Sequence, residues 1–275
     1  MEGHTERDLI FSCMLRLIKL PDLLSLLNAL LGFSALVLVL GGVSVNDRAL
    51  KNALVVLLLA AVVDGLDGMV ARTVAHSPLG TYLDSLADLV SFGLAPAIVV
   101  YVLIKDYGPI SRSYAGVVLV FCGAYVICGM LRLARFNANL FLCGALPHDP
   151  ASPVRAYRKA LPKERKNDFV GFPITGSATF LASFTLMAVE LKLFRPSTVL
   201  FLLGLMALLC VLMVSRIRYR NLRDKRIVIP LGILFFMLFF LYILSLQFIY
   251  PLIVLVILAA FYMCSPLFLH TRTSR

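Results

Sequence analysis

The chain is short of charge. Of its 275 residues only 15% are Asp, Glu, Lys or Arg, while 60% are hydrophobic and the mean hydropathy is +0.92. That balance excludes an ordinary soluble domain. Histidine is scarce too: His4, His76, His148 and His270 stand far apart. Cys13, Cys122, Cys128, Cys143, Cys210 and Cys264 are scattered without C-x-x-C spacing. Neither a disulfide framework nor a zinc site is indicated, and no Ser–His or Cys–His pairing offers an activated nucleophile. Acids are outnumbered, 15 against 26 Lys and Arg, for a net charge of +11. No soluble basic domain exists to turn that excess toward nucleic acid. No internal repeat of the inverted-topology transporter kind is visible. Residues 1–21 mix Arg7, Arg16 and Lys19 with Glu2, Glu6 and Asp8, so no removable signal peptide is expected.

What the chain has is long apolar runs. Eight lie near 23–43, 50–72, 79–104, 114–136, 171–191, 197–215, 227–246 and 248–268, each about the 20 residues that cross hydrocarbon as helix. The pattern predicts an all-α, polytopic integral membrane bundle of about eight transmembrane helices, one membrane domain over 1–275. Residues 1–21 read either as a surface-lying helix ahead of Pro21 or as an ordinary terminus. Spans within 23–215 are expected to form a six-helix catalytic core, and 227–268 a C-terminal helix pair. With eight spans, Arg48, Lys51, Lys105, Arg112, Lys192 and Arg195 fall on one side and all other Lys and Arg on the opposite one. The positive-inside rule then puts both termini in the cytoplasm of a cell with this protein in its plasma membrane. The polar connection 137–170 holds four prolines and the basic run Arg155, Arg158, Lys159, Lys163, Arg165 and Lys166. It reads as a loop or short helix lying against phospholipid headgroups.

The stretch 64–88, DGLDGMVARTVAHSPLGTYLDSLAD, concentrates the chemistry. Asp64 and Asp67 are three apart and Asp84 and Asp88 four apart, so on helices each pair shares a face. Carboxylates in apolar spans cost several kcal/mol each unless neutralised. Nearby, only Arg72 and His76 carry possible positive charge, and His76 reads more simply as a solvated loop histidine. A bound divalent cation is the simplest compensator; all-oxygen ligands favour Mg²⁺ or Mn²⁺, and four acids suffice for two ions. Gly65, Gly68 and Gly80 leave room for a bulky ligand, and Arg72 offers a guanidinium fork to phosphate. The set describes a pyrophosphate–metal site inside a membrane protein. The rival is a cation or proton pathway of a transporter, which also uses intramembrane carboxylates.

The same residues read D-x-x-D-G-x-x-A-R followed by G-x-x-x-D-x-x-x-D, which resembles the signature of the CDP-alcohol phosphatidyltransferases. Asp64, Asp67, Gly68, Ala71, Arg72, Gly80, Asp84 and Asp88 fill every fixed position. The spacer from Thr73 to Leu79 is shorter than is usual in that family. The resemblance implies an integral membrane enzyme that moves a phosphatidyl group from a CDP-lipid to an alcohol. By the same resemblance Asp64, Asp67, Asp84 and Asp88 hold two metal ions, Asp88 doubles as general base, and Asp64, Gly68, Arg72, Ser77 and Gly80 surround the CDP moiety. Asn28, lone in an apolar first span, more often would bond a neighbouring helix; the resemblance adds a role in CDP-lipid binding.

Three further blocks, SLADLVSFGLAPA at 85–97, LRLARFNA at 131–138 and GFPITGSA at 171–178, resemble bacterial and archaeal phosphatidylserine synthases. They imply L-serine as acceptor, with glycerol 3-phosphate or inositol phosphate as alternatives. Arg132 and Arg135 share a helix face and suit a carboxylate, with Asn137 just beyond. A cytoplasmic span end would also carry such arginines as anchors. The lipid donor is expected to be CDP-diacylglycerol or CDP-archaeol, and the assembly a homodimer, as relatives commonly are.

Overall fold

A computed structural model describes residues 20–41, 47–70, 80–107, 115–144, 169–193, 195–219, 225–244 and 248–270. Helices account for nearly all of them. They are α1 (Leu20–Leu40), α2 (Asp47–Val70), α3 (Gly80–Asp88), a π-helical turn (Leu89–Leu94) running on into α4 (Ala95–Tyr107), and α5 (Ala115–Gly144). After these come α6 (Ile174–Glu190), α7 (Pro196–Val214), α8 (Lys225–Ile243) and α9 (Ile249–His270). Each apolar run found in the sequence lies on a helix. Pro21 and Pro196 sit in first turns, where a missing N–H costs nothing. One antiparallel pairing joins β1 (Phe169–Val170) to β2 (Arg218–Tyr219), in register Phe169↔Tyr219.

Among the described residues, six stretches are long and apolar enough to cross a membrane: Pro21–Leu40, Asp47–Asp67, Gly80–Asp106, Ala115–Ala138, Pro196–Val214 and Ile249–Pro266. Two apolar helices are shorter, Ile174–Glu190 and Pro230–Ile243. At 1.5 Å per residue α6 is about 25 Å long, short of the roughly 30 Å hydrocarbon core. It is also largely enclosed, with buried residues recurring from Ile174 to Val189, and packs on α2 and α9.

Successive helices alternate in direction. Ser25 meets Asp67, Ser85 meets Asn137 and Arg135 meets Val214 at one end. At the other, Lys51 pairs with Glu190 at 2.6 Å and Tyr242 bonds Asn52. The surface is inverted relative to a soluble protein. On α1, Asp22, Ser25 and Asn28 are buried, whereas Leu30 and Phe33 are each 58% exposed. Apolar side chains outward and polar ones inward are what a hydrocarbon solvent selects.

The seam between α1 and the π-turn is unusually close. A Cβ on Gly32 would lie 2.4 Å from Ser91 Oγ and 2.6 Å from Ser91 Cα, so only glycine admits this approach. Ser91 Oγ uses it to donate to the Asn28 carbonyl at 2.7 Å. On the far side of the same turn, the fully buried Tyr125 of α5 donates to the Phe92 carbonyl at 3.2 Å. Single π-type turns of this kind occur inside α-helices and are frequent at functional sites.

Candidate metal and diphosphate site

Asp64 and Asp67 come from the last turns of α2, and Asp84 and Asp88 from α3. The two helices bring Asp64, Asp84 and Asp88 together, each with a carboxylate oxygen within 4.8 Å of the other two. Like charges at that distance disfavour common ionisation unless a cation joins them. Three oxygen donors so placed fit a hard divalent ion. Asp67 lies outside this triple; its Oδ2 accepts the Ser25 hydroxyl at 2.5 Å.

A face of α1 closes the site. Ser25 reaches Asp67, and one turn on, Asn28 Nδ2 donates to Asp88 Oδ1 at 3.3 Å. Asn28 is 1% exposed, and its Oδ1 has no hydrogen-bond partner among the described residues. From α5, Arg132 contributes positive charge that interacts with Asp88 and Asp64. Its buried Nε has no hydrogen-bond partner among the described residues. A guanidinium donor withheld from water and from protein is a group that a ligand can satisfy.

Beside Arg132 the two arginines of LRLARFNA part company. Arg135 donates to the carbonyls of Val170 at 2.9 Å, Val214 at 3.1 Å and Met213 at 3.3 Å. It thereby caps the C-terminal end of α7 and holds β1. The next residue, Gly171, has φ +86°, and a Cβ there would lie 2.5 Å from Met213 O and 2.7 Å from Arg135 Nη2. Asn137 accepts the Ser85 hydroxyl on Oδ1 at 3.1 Å. That bond closes one end of a cavity of about 220 Å³ between α3 and α5, lined otherwise by Tyr82, Leu86, Leu89, Met130 and Leu133.

The three outlying sequence blocks therefore touch one another. Ser85 bonds Asn137, Arg135 grips the strand entering Gly171, and Tyr125 bridges Phe92 to Ser177 Oγ at 2.9 Å. Gly80 begins α3 and is buried. A Cβ on Gly65 would meet nothing within 4 Å, so the space expected there exists. Gly68 lies in α2. Arg72, Ser77 and His76 lie outside the described residues, as does most of the 137–170 connection.

Ser25, Gly32, Ser91 and Tyr125 were not singled out as site residues from sequence. The signal for two of them was present, since Asn28 and Gly32 are four apart on the face that carries Asp22 and Ser25.

Comparison with known proteins follows the same lines. The sequence model described as CDP-alcohol phosphatidyltransferase matches residues 18–156. A CDP-diacylglycerol–serine O-phosphatidyltransferase of Helicobacter pylori is 34% identical over 204 residues, 74% of this chain and 72% of the relative. An archaetidylserine synthase of Methanothermobacter thermautotrophicus is 40% identical over 123 residues, 44% of this chain and 47% of the relative. A CDP-diacylglycerol–serine O-phosphatidyltransferase of Mycobacterium tuberculosis is 35% identical over 160 residues, 58% of this chain and 46% of the relative. The match thus spans about half the length of the archaeal and mycobacterial proteins.

Proposed function

As the chain belongs to the CDP-alcohol phosphatidyltransferase family, we propose that it transfers a phosphatidyl or archaetidyl group from a CDP-lipid to L-serine, releasing CMP. The observation that carries the reading is the approach of Asp64, Asp84 and Asp88 within 4.8 Å, with the Arg132 charge beside them. Family membership sets the transporter reading aside. The product is a phosphatidylserine-type lipid, and the relatives of that name support the choice of acceptor.

Asp64, Asp67, Asp84 and Asp88 would hold divalent Mg²⁺ or Mn²⁺, two ions in all. When bound, such ions polarise the diphosphate and stabilise the charge on departing CMP. Asn28, Asp64, Gly68, Arg72, Ser77 and Gly80 surround the CDP-lipid head. Asp88 takes the proton of the acceptor hydroxyl. The freed oxygen pair forms the new P–O bond at the lipid-bearing phosphorus, and the P–O bond to CMP breaks. Arg132, Arg135 and Asn137 form the acceptor side. Arg132 meets the carboxylate, while Arg135 acts from the α7 end to which it is bonded.

The chain is a multi-pass membrane protein. We place all eight alternating helices across the bilayer, both termini and the site toward the cytoplasm, in a plasma-membrane homodimer. The lysine and arginine asymmetry supports that orientation. A core within 23–215 carries the site, with 227–268 as a C-terminal pair.

The test incubates purified protein and CDP-diacylglycerol or CDP-archaeol with Mn²⁺ or Mg²⁺, offering serine, glycerol 3-phosphate or inositol 1-phosphate separately. CMP release should require serine. Preferred turnover of a phosphorylated acceptor would overturn the serine assignment and leave the family untouched.

A further inference from the structure

Asn28 meets the acid cluster with one half of its amide and leaves the other half over. Its Nδ2 donates to Asp88 Oδ1 at 3.3 Å, and Asp88 is one of three acids with carboxylate oxygens within 4.8 Å of one another. Its Oδ1 is buried and has no hydrogen-bond partner among the described residues; the residue as a whole is 1% exposed. The amide cannot turn over to relieve this. Turned over, it would set its oxygen against a carboxylate oxygen, lone pair against lone pair. The main chain is fixed as well, since the Asn28 carbonyl accepts Ser91 Oγ at 2.7 Å beside the close seam at Gly32. Oδ1 is therefore a fixed acceptor next to Asp88. A buried acceptor left unmet costs free energy that a donor from a ligand removes.

The group that fits is a cationic N–H donor. An amide oxygen accepts and never donates, so a carboxylate or phosphate oxygen placed there would be repelled. The carboxylates close by add a preference for positive charge. On the serine-transfer reading Asp88 takes the proton of the acceptor hydroxyl, and in serine the hydroxyl and the ammonium stand on adjacent carbons. The groups that receive them must then be neighbours too. Asp88 and Asn28 Oδ1 are neighbours, because Oδ1 shares a carbon with the nitrogen that bonds Asp88. Arg132 of α5 is left for the carboxylate, and its buried Nε, a donor, also lacks a partner among the described residues. The two unmet atoms are of opposite kind, as are the two charged ends of an amino acid.

We infer that Asn28 determines acceptor specificity: its Oδ1 receives the ammonium of the amino-acid acceptor while Asp88 beside it receives the hydroxyl proton. This rests on the serine-transfer reading. It adds the reason why an aminated acceptor is chosen over an otherwise similar alcohol.

The experiment compares serine with 3-hydroxypropionate, the same molecule without its amino group, as acceptors for wild type, Asn28→Ala and the shape-keeping Asn28→Leu. Each is the purified full-length chain at saturating CDP-diacylglycerol and Mn²⁺, with CMP release as the readout. Any part Asn28 has in steadying Asp88, the metal or the CDP-lipid weighs on both acceptors alike and cancels from the ratio of their kcat/KM values. In wild type that ratio should favour serine at least about tenfold, the scale of one hydrogen bond to a charged group. In both variants it should drop about tenfold. A drop of less than about threefold would overturn the proposal; if Mn²⁺ binding is weakened at the same time, Oδ1 serves the metal, the other partner an amide oxygen takes. Equal use of the two acceptors by wild type would overturn it without any variant. Turnover by wild type of a phosphorylated acceptor alone ends the serine reading and this proposal with it. An unchanged ratio in an enzyme that does use serine ends this proposal only.

Discussion

Ser25 donates its hydroxyl to Oδ2 of Asp67 at 2.5 Å. Three residues later Asn28 donates to Oδ1 of Asp88 at 3.3 Å. One helix outside the acidic motif thus steadies one member of each acid pair. Hydrogen bonds to a carboxylate fix its orientation and which lone pairs remain for another partner. The polar face of α1 therefore belongs to the site although it holds no motif residue.

Ser25→Ala and Asn28→Ala should weaken divalent-ion binding about tenfold or more, the usual consequence of removing an outer partner of a ligand. Titration of Mn²⁺ followed by electron paramagnetic resonance measures this without turnover. Wild-type Mn²⁺ affinity in both variants would remove α1 from the metal site.

Asp64, Asp67, Asp84 or Asp88 changed to Asn should lower transfer by more than about a hundredfold. Chelation should abolish wild-type activity, and Mg²⁺ or Mn²⁺ should restore it. Robust turnover by Asp88→Asn would end its role as base, and indifference to EDTA would end the metal assignment.

Gly32→Val should act through packing alone. Its Cβ meets the Ser91 backbone at 2.6 Å, so α1 and the π-turn must separate, at a cost of about 1–3 kcal/mol. Thermal unfolding in detergent should show a lowered midpoint, accompanied by reduced transfer. A variant with unchanged midpoint and rate would mean that the seam is not tight.

Arg135→Ala and Gly171→Ala should resemble each other. The first uncaps α7. The second forces φ +86° on a residue with a side chain, worth about 1–2 kcal/mol, and drives its Cβ to 2.5 Å from Met213 O. Both should lower the unfolding midpoint and impair serine use. Arg135→Ala that weakens serine binding at full thermal stability would instead make Arg135 a direct acceptor ligand.

Single cysteines placed in 155–166 and 221–224 should react with an impermeant reagent only from the cytoplasmic side, and one at Asp106 only from outside. Equal sidedness for all three would remove an odd number of crossings from the topology.

Much of this was legible in the chain itself. Apolar runs specify helices here because hydrocarbon leaves the backbone no other way to satisfy its polar groups. The acids announced themselves because no apolar span keeps carboxylates without a use for them. Other features depend on pairings distant in sequence. Ser25 and Asp67 are 42 residues apart, and Asn28 and Asp88 are 60 apart. No local pattern reports such contacts. Arg132 and Arg135 look equivalent, three apart on one helix face, and only packing separates them: one interacts electrostatically with Asp88 and Asp64, while the other bonds the carbonyls at the end of α7. The π-turn has no periodic signature, and the Tyr125 hydroxyl that bonds its Phe92 carbonyl comes from another helix.

That wide turn at Leu89–Leu94 makes the helix a screw with one deliberate slip in its thread. Asp84 and Asp88 lie on one side of the slip; Ala95, Val99 and Leu103, all buried, lie on the other. Winding the same residues as ordinary α-helix would rotate one half against the other by about 100°, roughly one residue's turn. Either the acids would swing off α2 or the buried stripe of α4 would turn outward. The slip is what absorbs the extra residue, so the acids and the buried stripe each keep their own face.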